Sequence, residues 1–209
     1  VRAFFANLKG GCGKTTAAVT LAVALGSRTR EVCLVDADRQ GSASAWFDRR
    51  LAAGLPGPEL VRIGKLGRLR RLEASSGTII VDCRAGLAGE DLAEHLCEGD
   101  CVLVPVLPSI LDVDASLAFL AALRSEKKVA RGRVTVLPFL NRVRPHSRAA
   151  QRVREILHRE GWSCQAEIRE SSAYALAAFL GKTLFDYRAA AAVELQRDWE
   201  PLRAAIAGG

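Results

Sequence analysis

The sequence of 209 residues has no methionine and no apolar run approaching the ~18 residues that a membrane-spanning helix needs. Its first residues enter a strand-like segment directly, without the charged region, apolar stretch and cleavage site of a secretory leader. It also lacks a CxxC pair, a linker, an internal repeat and any low-complexity tract. These absences argue against a membrane span, an exported disulfide scaffold and a string of loosely joined modules. The expectation is a cytoplasmic protein with one domain over residues 1–209. Its six scattered cysteines (Cys12, Cys33, Cys83, Cys97, Cys101 and Cys164) read as reduced, most of them packing as small apolar residues.

What is present is ordinary for a folded globular chain, with 49% hydrophobic and 25% charged residues. Thirty Lys and Arg against 23 Asp and Glu leave a net charge of +7, which suits a polyanionic partner where that charge is clustered. Short β-branched runs at residues 3–8, 32–36, 78–82, 101–105, 134–140 and 164–168 alternate with helix-period segments at 15–25, 114–123, 147–159, 171–180 and 189–206. That alternation predicts an α/β fold, a mostly parallel twisted sheet with helices on both faces. Residues 51–58 read as a Gly- and Pro-rich loop, and Leu66, Leu69 and Leu72 as one face of a short amphipathic helix. In such a sheet, ligands gather at the carboxyl ends of the strands.

Directly after the first strand stands Lys9-Gly10-Gly11-Cys12-Gly13-Lys14-Thr15-Thr16, and a helix follows. Glycines let successive backbone N–H groups turn onto phosphate oxygens, and the helix amino terminus adds its partial positive charge. This is a P-loop in its expected strand–loop–helix context, with Lys14 directed at the β- and γ-phosphates and Thr15 at Mg²⁺. The generic motif has a glycine where this chain has Leu8, and here Lys9 stands beside a glycine pair instead.

That departure resembles the deviant Walker A family, which includes ParA, MinD and the nitrogenase iron protein and carries the pattern KGGxGK[ST]. The resemblance implies a P-loop ATPase that binds ATP and Mg²⁺ and closes as a homodimer with ATP sandwiched between subunits. It assigns Lys9 to the partner's nucleotide, where a second cation makes dimer stability depend on the γ-phosphate.

After the second strand, Asp36-Ala37-Asp38-Arg39-Gln40-Gly41-Ser42 places two carboxylates at i and i+2, a spacing that lets both reach metal-bound and attacking waters. It resembles the ParA signature DxDPQgs, with Arg39 in place of the proline. By that resemblance Asp38 positions or activates the hydrolytic water, and Asp36 supports the metal through its water shell. The apolar strand ending in Asp82 resembles a Walker B element, whose acid is directed at Mg²⁺. Arg84 then introduces a charge beside the γ-phosphate pocket.

Asn141 follows a later strand at the position where the family's Asn meets adenine. A GTPase of this class has Asn-Lys-x-Asp there; Arg144 at the Asp position favours ATP. The stretch Pro105-Val106-Leu107-Pro108-Ser109-Ile110-Leu111-Asp112 resembles the P-x-x-P-S-x-x-D of small ParA proteins without an amino-terminal DNA-reading module.

Basic residues gather beyond the pocket: Arg142, Arg144, Arg148, Arg152 and Arg154 with His146 between, then Arg169 and Lys182. Arg148 and Arg152 are one helical turn apart and able to follow a phosphate backbone, although a solvated basic face reads the same way. The resemblance implies a nucleoid-associated ATPase that binds nonspecific DNA through such residues. It further implies slow hydrolysis stimulated by a small ParB-like or cargo adaptor, in service of plasmid, chromosome or protein-cargo positioning. Two alternatives are less favoured. A MinD-like membrane switch needs a basic amphipathic tail, and residues 198–209 carry one basic residue and Pro201. An iron-protein-like cluster needs ligating cysteines, and Cys97 and Cys101 are the only close pair.

Overall fold

Runs of Val, Ile, Leu and Phe that are apolar on both faces are the signature of strands covered by helices above and below. The computed structural model describes residues 1–26, 31–71 and 77–208. Its sheet contains β1 (Arg2–Phe5), β2 (Val32–Asp36), β3 (Glu59–Arg62), β4 (Thr78–Asp82), β5 (Cys101–Val106), β6 (Thr135–Val143) and β7 (Glu167–Arg169). Their order is β3-β2-β4-β1-β5-β6-β7, and every neighbouring pair is parallel.

The helices are α1 (Lys14–Leu25), α2 (Ser42–Ala52), α3 (Gly89–Ala93), α4 (Ile110–Ser125), α5 (Lys127–Ala130), α6 (Arg148–Arg159), α7 (Ser172–Phe179), α8 (Ala190–Gln196) and α9 (Glu200–Ala207). Alternate residues of each strand enter different layers. Phe4, Val81 and Val102 pack with Leu92, Leu120 and Val153 of α3, α4 and α6. Ala3, Phe5, Ile80 and Leu103 pack with Leu21, Trp46 and Leu202 of α1, α2 and α9. The central β1 lies between β4 and β5, and the chain visits β2 to β4 on one side of it before β5 to β7 on the other. The resulting crevice at the carboxyl end of β1 is where this class of sheet holds ligands.

The structure departs from the sequence expectation at several elements, and β1 ends at Phe5 where the strand was read as far as residue 8. The strand β3 and the helix α2 were not anticipated, and the segment read as a loop from residue 51 begins inside α2. β3 is a four-residue edge strand with both ends exposed, so it carries little apolar pattern. The short helix at Leu66 is 3-10 in form over Leu66–Arg71, and Leu72 lies outside the described residues. The last strand starts three residues late, at Glu167. The single helix expected over 189–206 is broken into α8, a 3-10 turn at Arg197–Trp199 and α9. Pro201 occupies the first turn of α9, where its missing N–H costs nothing and its ring forbids an unbroken helix through that point.

Candidate nucleotide-binding site

The loop from Lys9 to Gly13 joins β1 to α1, and its shape rests on glycine. Gly11 and Gly13 have φ of 72° and 95°, in the left-handed region that side chains avoid. A Cβ on Gly13 would also collide with Nδ2 of Asn141. No side chain caps the amino terminus of α1, so the amides of its first turn are left for an anion. Lys14 is buried, and its Nζ donates to the Lys9 carbonyl at 2.9 Å. The Cys12 Sγ donates to the same carbonyl at 3.3 Å. Burial raises the Cys12 pKa, and the nearby Lys14 ammonium offsets part of that rise.

Two residues that the sequence reading missed hold this frame. Asn7 is fully buried; its Nδ2 donates to the Pro105 carbonyl and to Ser116 Oγ at 2.9 Å each, and its Oδ1 accepts from Lys9 N at 3.1 Å. It thereby joins the start of the P-loop to β5 and α4. Ser44 of α2 donates its amide and hydroxyl to Asp36 Oδ2 at 2.8 and 2.6 Å. Asn7 was detectable as a polar residue at the end of an apolar strand; nothing local marks Ser44.

The acids meet at the ends of β2 and β4, where Asp36 and Asp82 are in register. Asp36 is buried and engaged through both oxygens: Oδ1 accepts from Asp38 N at 3.1 Å, and Oδ2 is held by Ser44. This arrangement makes Asp36 the residue that sets the Asp38 turn and the start of α2. Asp38 is half-buried and accepts from Gln40 N at 3.0 Å. Asp82 differs, because both of its oxygens are buried without a hydrogen-bond partner among the described residues. Desolvation pushes its pKa up to about 7, aided by the charges of Asp36 and Asp38 and opposed by the Thr15 hydroxyl and Lys14. A hard divalent cation is what a buried, unpartnered carboxylate beside a threonine hydroxyl fits. The residues present therefore suit Mg²⁺, with Asp82 and Thr15 the groups that would face it.

On the other side of the loop, Asn141 Nδ2 donates to the Cys12 carbonyl at 2.7 Å and its Oδ1 accepts from Arg142 N at 3.0 Å. It pins the P-loop and lines a cavity of about 470 Å³ with Gly13, Arg142, Ser171, Tyr174 and Trp199. That cavity has the size and placement for a nucleoside next to the phosphate cradle. Arg142, with φ of 60°, is held in the left-handed region at its mouth. Lys9 Nζ is 2.6 Å from Asp112 Oδ1 at the start of α4.

The basic residues do not form a uniform face. Arg144 pairs with Glu170 and Arg152 with Glu155, and Arg154 pairs with Glu167 at 2.5 Å. Arg169 is bound by Glu194 and Asp198 at 2.7 and 2.9 Å, and Lys182 lies over the Tyr187 ring at 5.3 Å. Arg142 and Arg148 are exposed, with no carboxylate at ion-pair distance among the described residues. Of the cysteines set against a metallocluster, Cys97 is exposed and Cys101 is buried within β5. Among the described residues no helix is long and apolar enough to cross a membrane.

A parallel sheet with a glycine-shaped cradle at its central strand, backed by two in-register acids, defines a P-loop nucleotide-binding protein. The model of the CobQ/CobB/MinD/ParA nucleotide binding domain matches residues 3–184, and the chain belongs to that family. It is 30% identical over 184 residues to maintenance of carboxysome distribution protein A of Halothiobacillus neapolitanus, covering 86% of this chain and 84% of that protein. It is 33% identical over 196 residues to the protein of the same name from Gloeobacter kilaueensis, covering 92% and 88%. The fold is shared with an ATP complex of Cyanothece McdA, at a TM-score of 0.74 and 18% identity, covering 99% of this chain and 96% of that one.

Proposed function

We propose that this chain is a Mg²⁺-dependent ATPase of the ParA type, a dimerisation switch that positions a cargo on nonspecific DNA. The observation that carries the reading is the buried, unpartnered Asp82 carboxylate opposite Lys14 and Thr15 at an uncapped helix amino terminus. The similarity to two proteins named for maintaining carboxysome distribution supports a protein assembly as the cargo over a plasmid or chromosome.

In this reading the amides from Gly10 to Thr16 and the Lys14 ammonium bind the triphosphate, and Asn141 and Arg142 border the base. Thr15 and Asp82, with Asp36 behind them, would hold Mg²⁺, which when bound would neutralise phosphate charge. Asp38 accepts the proton of the attacking water, while Asp36 fixes the turn that presents it. Lys9 contributes a cation across the subunit interface, so that ATP favours the homodimer and ADP does not. Two basic faces in one dimer hold DNA more tightly than one through effective concentration; of the residues assigned to DNA, Arg142, Arg148 and Lys182 have no carboxylate at ion-pair distance among the described residues. A small adaptor then accelerates a slow basal hydrolysis and resets the switch in the cytoplasm.

The test is retention of the purified chain on nonspecific duplex DNA with ATP or ADP at several salt concentrations. ATP-specific, salt-sensitive retention is expected; equal retention with both nucleotides removes the DNA half of the reading.

A further inference from the structure

The cavity beside the phosphate cradle, about 470 Å³, has an aromatic wall that no part of the P-loop supplies. Tyr174 of α7 is half-buried and Trp199 is buried, and their rings meet edge to face with centroids 6.0 Å apart. Trp199 Nε1 donates to the Tyr174 hydroxyl oxygen at 2.9 Å. The hydroxyl hydrogen itself has no acceptor among the described residues. A hydroxyl that accepts a hydrogen bond is polarised into a stronger donor. Burial pushes the Tyr174 pKa up to about 12, so that hydrogen is retained at neutral pH.

Trp199 is anchored from outside the cavity. Arg169, the last residue of β7, donates its backbone amide to Asp198 Oδ2 at 3.1 Å and its guanidinium to Asp198 and Glu194. These bonds clamp the 3-10 turn Arg197–Trp199 to the sheet. Residues 194–199 lie beyond the stretch 3–184 that the family model matches, so this wall is set by a segment outside the shared domain. Asn141, on the opposite account, has spent half of its capacity within the protein: one Nδ2 hydrogen goes to the Cys12 carbonyl, and Oδ1 accepts from the Arg142 amide. The unspent Tyr174 O–H is the donor that the aromatic wall offers a base.

We propose that Tyr174, positioned by Trp199, recognises the nucleobase, its hydroxyl donating to a ring nitrogen of adenine. The proposal rests on the nucleotide-binding reading above and names the group that distinguishes a nucleotide from bare phosphate. N1, N3 and N7 of adenine each carry a lone pair that accepts such a hydrogen. Ala17, Ala175 and Ala178 line the same cavity and leave room beside the tyrosine for a flat ring. A site that spends a buried hydroxyl on its ligand discriminates against one lacking the matching acceptor.

The probes are ADP and pyrophosphate, which shares its phosphates and lacks the base, titrated calorimetrically into the full chain with Mg²⁺. ADP keeps the measurement clear of dimerisation that depends on the γ-phosphate. Tyr174→Phe keeps the ring; it is expected to weaken ADP about tenfold and to leave pyrophosphate at the parent value. In ADP analogues, carbon replaces N1, N3 or N7 in turn. The analogue without the accepting nitrogen is expected to bind the parent about tenfold more weakly than ADP and to lose nothing further in Tyr174→Phe. A merely structural tyrosine would not produce that coupling. Equal losses of ADP and pyrophosphate, no loss of ADP, or analogues that all lose as much as ADP on the substitution would each overturn the assignment. Trp199→Phe removes the donor that orients the hydroxyl and is expected to weaken ADP alone; an equal loss of pyrophosphate would withdraw its positioning role. A parent chain that binds neither probe removes the nucleotide reading and this proposal together. One that binds pyrophosphate as tightly as ADP removes only recognition of the base.

Discussion

Lys9 Nζ and Asp112 Oδ1 stand 2.6 Å apart within one chain, so the lysine that distinguishes this P-loop from the generic one already has a counter-ion at the start of α4. The hydrogen bond from Lys9 holds the Asp112 carboxyl below the usual range. A lysine that is to reach a second subunit's phosphate must give up this contact, so under the proposed function the intrachain pair would oppose dimerisation. Asp112→Ala is expected to increase the ATP-bound dimer, measured by analytical ultracentrifugation. Because the pair is partly exposed, the gain should not exceed about tenfold in the dimerisation constant.

Lys14 and Asp38 should separate binding from turnover. Lys14→Ala removes the buried ammonium from the cradle and is expected to abolish binding of a fluorescent ATP analogue. Asp38→Ala leaves the cradle intact, so nucleotide affinity should persist while phosphate release slows by about 100-fold, as for loss of a general base. Normal turnover in Asp38→Ala would withdraw its catalytic assignment.

Gly13 is fixed by two independent constraints, its φ of 95° and its contact with Asn141. Gly13→Ala must strain the backbone and displace the amide that pins the Cys12 carbonyl. The expected result is a loss of about 1–3 kcal/mol in chemical denaturation together with loss of ATP binding. Retained ATP affinity at parent stability would show that neither constraint matters to the cradle.

The P-loop was legible because its chemistry is local: eight consecutive residues carry the glycines, the lysines and the hydroxyl. The apolar strands were legible for the same reason, since burial on both faces leaves a continuous apolar run. What escaped notice depends on distant partners. Asn7 reaches Ser116, 109 positions away, and the bond by which Asn141, itself named from the sequence, holds the Cys12 carbonyl spans 129 positions. Among the arginines assigned to DNA, Arg169 was read as part of a patch because the acids that neutralise it, Glu194 and Asp198, lie 25 and 29 positions along the chain. The edge strand β3 was missed because its exposed Glu59 and Arg62 leave only two half-buried apolar residues to signal it.

Arg50 of α2 is buried and grips both oxygens of Asp186 at 2.9 Å, fastening α2 to the segment that follows α7. Burial would raise the Asp186 pKa, but hydrogen bonds from Arg50 and Thr183 outweigh it and hold the carboxyl below its usual range. A depressed carboxyl contributes stability above its unfolded value and loses it as pH falls through the folded one. Asp186→Asn should therefore cost about 3 kcal/mol at neutral pH by leaving Arg50 without its charge partner. The gap between parent and variant should begin to close as pH falls below about 4, the unfolded value, and vanish as it falls through the lower folded one, where the parent carboxyl protonates as well. A gap independent of pH would mean that the ion pair is not the source of the loss.

Asp82 should behave in the opposite sense. It is only 1% exposed, and among the described residues its oxygens have no hydrogen-bond partner of full geometry, the Thr15 hydroxyl offsetting only part of the cost of burial, so the carboxylate is costly in the chain by itself. Its raised pKa, about 7, means that its contribution to stability is present below the ordinary carboxylate range and lost as pH rises through that value. Asp82→Asn removes the buried charge at nearly constant shape. Without nucleotide or Mg²⁺ at about pH 8, the variant should be more stable than the parent by roughly 2–4 kcal/mol in chemical denaturation. Adding ATP and Mg²⁺ should reverse the order, because the cation rewards the carboxylate and gives the amide little. A variant no more stable than the parent without ligand would mean that the Asp82 oxygens find donors in solution. A variant that gained as much from Mg²⁺ and ATP as the parent would place the cation elsewhere.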